Sequence, residues 1–61
     1  MTDRTITMFT DPLAAVEEAE FLAEHLGKSY AVVAVHGGCF RVVEKAYALD
    51  RGLHILEVCN P

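Results

Sequence analysis

The chain has 61 residues, of which 52% are apolar and 23% charged, and it carries a net charge of −4. That length holds one domain, and that composition excludes a disordered polar segment. A chain this short buries only about 60% of its unfolded surface, so a small core needs reinforcement from a metal, a disulfide or a second copy.

The longest strongly apolar run, Tyr30 to Val35, is far shorter than the ~20 residues that span a bilayer. The start, Met1-Thr2-Asp3-Arg4, shows no basic segment leading into an apolar one, so a cytosolic location is expected, with Cys39 and Cys59 reduced. The charge is unevenly spread. In residues 1–26, Asp3, Asp11, Glu17, Glu18, Glu20 and Glu24 stand against Arg4, a net of −5, whereas residues 27–61 carry a net of +1. A protein that grips a phosphate backbone would carry the opposite sign.

In chain order, Thr5 to Phe9 reads as a short strand rich in β-branched residues. Asp11-Pro12 then opens a helix, Asp as the N-cap and Pro at a position whose N–H has no helical partner. The helix is expected to run to about Leu26 and to end on a left-handed Gly27. At 100° per residue, Ala15, Val16, Ala19, Leu22, Ala23 and Leu26 share one sector, and the three alanines permit a close approach to a neighbour. Glu17, Glu20 and Glu24 gather on the opposite side with Phe21 beside them. Phe21 has two readings: an anchor for a partner, or a ring covered by the N-terminus or the last strand.

Ser29 to His36 reads as a central strand, Gly37-Gly38 as a hairpin turn, Cys39 to about Tyr47 as the returning strand, Asp50-Arg51-Gly52 as a second turn, and Leu53 to Cys59 as a last strand. The predicted fold is a single α+β domain of order β-α-β-β-β, with one amphipathic helix packed on a mostly antiparallel sheet. A two-residue turn would pair His36 with Cys39, Ala34 with Arg41, Val32 with Val43 and Tyr30 with Lys45. One face would then carry Tyr30, Val32, Ala34, His36, Cys39, Arg41, Val43, Lys45 and Tyr47. The other would carry Ala31, Val33, Val35, Phe40, Val42, Glu44 and Ala46; being more apolar, it is expected to meet the helix. The first face, left without cover, would meet water or a partner.

Four groupings bear on chemistry. His36, Cys39, His54 and Cys59 suggest a zinc site that would staple a small domain. If the last strand pairs with the one before it, Cys59 falls near Arg41 and His54 near Ala46. Residues 54 and 59 of one strand lie about 16 Å apart, which leaves His36, Cys39 and Cys59 as a three-ligand set. The plainer expectation is no metal and two thiols at ordinary structural positions. A catalytic Cys39 needs a base and an orienting group, and only His36 is at hand. No phosphate loop, acid pair or Ser-His-Asp set is present, so no catalytic residue and no cofactor are expected.

The third grouping is Tyr30, Arg41, Lys45 and Tyr47 on the uncovered sheet face, which would suit stacking with single-stranded nucleic acid or contact between two copies of the chain. The acidic balance weighs against nucleic acid, and the chain is expected to be a monomer or a homodimer. The fourth is the acidic helix face of Glu17, Glu18, Glu20 and Glu24. The helix has no Lys or Arg, so Glu17 repels Glu20 and Glu20 repels Glu24. With Phe21 as an aromatic anchor, this face suits docking on a basic, partly apolar protein surface.

A very short, acidic, single-domain chain without a catalytic motif resembles the small inhibitors encoded by phages and mobile elements, anti-CRISPR proteins among them. The features that carry the resemblance are the size of the whole chain and Glu17, Glu18, Glu20 and Glu24. The resemblance implies a nucleic-acid-handling effector complex as partner, blocked by occupation of its basic surface rather than by chemistry.

Overall fold

A computed structural model describes residues 8–61. Helix α1 spans Pro12–Leu26 and has the predicted ends. The Asp11 carboxylate accepts a hydrogen bond from the Leu13 N–H at 3.2 Å, and Gly27 adopts φ 69° while its N–H bonds to the Ala23 carbonyl. A φ of that sign disfavours any residue with a side chain, so glycine is the residue that can turn the chain there. Ala15, Ala19 and Ala23 are fully buried, with Val16 and Leu22 packed beside them; Leu26, assigned to the same sector, is exposed in the last turn.

Among the described residues the sheet has three antiparallel strands, β1 (Tyr30–Val35), β2 (Cys39–Glu44) and β3 (Ile55–Cys59), in the order β2-β1-β3. The central place of β1 matches its nearly continuous apolar run. The N-terminal strand expected over residues 5–9 lies mostly outside the described residues. Its last member, Phe9, forms an antiparallel bridge to Phe40 along the outer edge of β2, with N–H···O distances of 2.8 and 2.7 Å.

Register departs from expectation by one residue. The hairpin turn has three residues, His36–Gly38, so Val35 rather than His36 faces Cys39, and Val32 faces Val42. Gly37 and Gly38 both take positive φ, at 79° and 73°. A slip of one residue exchanges the faces of one strand relative to the other. Here it places Tyr30 and Val32 beside Phe40 and Val42 under α1, with Cys59 from β3 completing that layer. The two-residue register would have put Val32 beside Val43 and Arg41 beside Ala34, mixing charge into an apolar layer. The observed register sorts the strands into two apolar faces instead of one.

The second face is covered because the segment after Glu44 is a helix. The strand expected to continue to Tyr47 ends at Glu44, and α2 (Lys45–Arg51) follows. Ala, Leu, Lys and Arg favour helix, and Gly52, at φ 66°, closes it with its N–H directed at the Ala48 and Leu49 carbonyls. Ala48 is buried against Ala31, Val33 and Val43, with Leu53 and Ile55 at the margin. The core is thus two thin layers of alanine and valine on either side of β1. Among the described residues, Val32 and Val33 are the largest side chains buried almost completely, each contributing about 1.5–3 kcal/mol by burial.

Candidate functional site: the outward face of α1

Once Ala15, Ala19 and Ala23 are turned to the sheet, the residues half a turn away face solvent. Glu17, Glu20 and Glu24 are exposed and Glu18 is half-buried. Phe21 sits one turn from Glu17, Glu18 and Glu24 and is 51% exposed. The last strand does not bury the ring, and the start of the chain, the other cover expected for it, lies outside the described residues. His25 stacks on Phe21, with ring centroids 4.0 Å apart and planes tilted by 30°. The His25 Nδ1 lies 3.0 Å from the Phe21 carbonyl oxygen. A carbonyl only accepts, so Nδ1 carries the proton and donates.

Ion pairs between described residues join Lys28 to Glu44 at 3.5 Å and Arg51 to Asp50 at 4.0 Å. The four carboxylates of α1 take part in neither of these pairs. One flank extends onto the sheet. Burial pushes the Cys59 thiol above its ordinary value, and the negative charges of Glu20 and then Glu57 push it further. Glu57 therefore shares the β3 flank of α1 with Glu20 and belongs to the same acidic surface. Sequence reasoning missed it because the partner of the last strand was open; its place opposite Val32 follows only from pairing with β1.

The sheet-face set is not brought together as a platform. Tyr30 is buried under α1, Arg41 lies on the α2 side of β2, and Lys45 and Tyr47 belong to α2. Tyr30, Arg41 and Tyr47 do line one open groove of about 670 Å³ along the outer edge of β2, between Leu22 of α1 and α2. Lys45 lines a different hollow with Lys28. Tyr47 is already stacked by the Arg51 guanidinium, 5.1 Å from its ring centre.

The zinc set is separated. Cys39 faces Val35 at the turn end of β1, whereas Cys59 faces Tyr30 at the other end. Five residues of strand put about 17 Å between those positions. The same distance prevents a disulfide between them, and both cysteines are free thiols, Cys59 buried and Cys39 half-buried. His36 lies in the turn, and the Cys39 thiol points to the Gly37 carbonyl at 3.8 Å rather than to an imidazole. The earlier placement of Cys59 near Arg41 is corrected for the same reason: β3 pairs with β1, not with β2. His54 accepts a bond from the Ala34 N–H through its backbone. Among the described residues no group of three His, Cys, Asp or Glu side chains is positioned to hold a metal ion, and no helix is long and apolar enough to cross a membrane.

Comparison with protein-family models, with curated proteins and with solved structures finds no match.

Proposed function

We propose that the protein is a small, non-enzymatic binding domain that docks the outward face of α1 on a basic surface of a protein partner in the cytosol. Glu17, Glu18, Glu20, Phe21 and Glu24 are the contact residues. The observation that supports this reading is the half-exposed Phe21 ring, set among four α1 carboxylates that take part in neither the Lys28–Glu44 nor the Arg51–Asp50 ion pair. An exposed aromatic with charge around it is the composition of an interface anchor. Surfaces basic enough to complement it are those that bind nucleic-acid backbones. Occupying one would inhibit its owner without any reaction, which is the mode implied by the likeness in size and charge to phage-encoded inhibitors.

The test is affinity capture from nuclease-treated lysate, repeated with Glu17, Glu20 and Glu24 all changed to Lys and, separately, with Tyr47→Ala in the β2 groove. The expected result is one stoichiometric partner, released as salt rises, lost with the triple change and kept with Tyr47→Ala. A partner whose affinity ignores the triple reversal would sink the proposal.

A further inference from the structure

We propose that the outward face of α1 receives an arginine side chain of its partner, its guanidinium stacked on Phe21 with Glu17 and Glu18 accepting its hydrogen bonds. This rests on the docking reading above and specifies the chemistry of the group that is recognised.

The argument begins with direction. Side chains on a helix lean toward its N-terminus, so His25 leans over the turn that holds Phe21, and Phe21 leans over the turn that holds Glu17 and Glu18. A centroid separation of 4.0 Å at a tilt of 30° is a stack, so His25 covers the C-terminal face of the ring. The opposite face is turned to Glu17 and Glu18, whose Cβ atoms lie about 5–6 Å from that of Phe21 on the helix surface. The site therefore offers an aromatic face bordered by two carboxylates, on a side chain that is 51% exposed.

A planar cation with several donors fits this arrangement. Guanidinium stacks on an aromatic face and directs N–H groups outward from its rim, where carboxylates accept them, often in pairs. An ammonium group has the charge but not the plane, so it gains from the carboxylates and little from the ring.

His25 is a positioning residue. Its Nδ1–H···O bond to the Phe21 carbonyl holds the imidazole, and the held imidazole keeps the phenyl ring in one orientation. A ring already held costs less ordering when the guanidinium arrives.

The experiment titrates the full chain with an all-arginine and an all-lysine peptide of equal length, with affinity from calorimetry and the Phe21 ring signals followed by NMR. The arginine peptide should bind about fivefold more tightly, the scale of an exposed cation–π contact, and should shift the Phe21 signals more. Phe21→Leu keeps the apolar bulk but lacks the π face, so it should equalise the two peptides without weakening the lysine one. His25→Ala should reduce the preference and His25→Phe should restore it, an effect that simple support of the helix would not produce. If both peptides bind equally and both are lost when Glu17, Glu20 and Glu24 become Lys, the arginine site is refuted while acidic docking stands. If neither binds the wild-type chain better than that triple variant, both proposals fall.

Discussion

The two helices are anchored in different ways. α1 has 15 residues, a side-chain N-cap, a glycine C-cap and three buried alanines in a row along its length. α2 has seven residues, no side-chain N-cap and Ala48 as its single buried residue. The first is specified by local signals at both ends and by a periodic face. The second exists because the sheet it rests on has an apolar underside that something must cover. Isolated helices of that length do not form in water, so α2 depends on contact with Ala31, Val33 and Val43. The molecule therefore has one layer that the helix brings to the sheet and one that the sheet imposes on the helix.

The largest effect should come from overpacking. Ala19→Leu forces a branched side chain between α1 and the strands at a position with no free surface, and it should cost about 1–3 kcal/mol. Ala48→Leu is the same change under α2, at a position equally buried. It should cost less, because a short helix held at one point can move outward. Urea denaturation of both variants measures the difference through the midpoint. Equal losses would show that α2 is held as firmly as α1 and would remove the contrast.

The contrast also explains what was legible. Asp11-Pro12 and Gly27 placed the ends of α1, and the alanine stripe placed its inner face, because those signals act within a few residues. The α+β class followed from them. Register was not legible, because Gly37-Gly38 serves a two-residue or a three-residue turn equally well, and the choice depended on how Phe40 and Val42 meet α1. The helix at Lys45–Arg51 was hidden because seven residues without a side-chain N-cap carry too little periodicity to be told from the end of a strand. The acidic face needed only helical periodicity, so Glu17, Glu20, Glu24 and Phe21 were found from sequence. Glu57 and the His25 stack needed tertiary or side-chain geometry.

A smaller effect sharpens the comparison at the helix ends. Gly27 and Gly52 have nearly the same left-handed backbone, and an added Cβ would meet nothing within 4 Å at either. Replacing each by Ala should therefore cost backbone strain alone, roughly 1 kcal/mol. Similar losses in thermal unfolding are expected for Gly27→Ala and Gly52→Ala, despite the difference in helix length. A much larger loss for Gly52→Ala would mean that its cap, with bonds to Ala48 and Leu49, nucleates α2 rather than merely closing it.

The smallest effect is a dependence on pH that should belong to the α1 layer. The Cys59 thiol lies under α1, its sulfur 3.8 Å from the Val16 carbonyl that it donates to, and its pKa is raised by burial, then by Glu20, then by Glu57. The unfolded chain thus loses this proton at lower pH than the folded one. Below the ordinary thiol value of about 8.5 both states keep the proton and the contribution is complete. As pH rises from there through the raised folded value, only the unfolded state is relieved by ionising, and stability declines. The urea midpoint should fall with alkaline pH in the wild type and fall less steeply in Cys59→Ala, whatever that variant loses at neutral pH. Glu20→Gln removes one of the two charges that oppose the thiolate in the folded state, so it should make the fall smaller and end it at lower pH without moving its onset, which the unfolded thiol sets. An alkaline slope unchanged by Cys59→Ala would separate the thiol from the acidic flank and leave Glu57 without its link to the α1 surface.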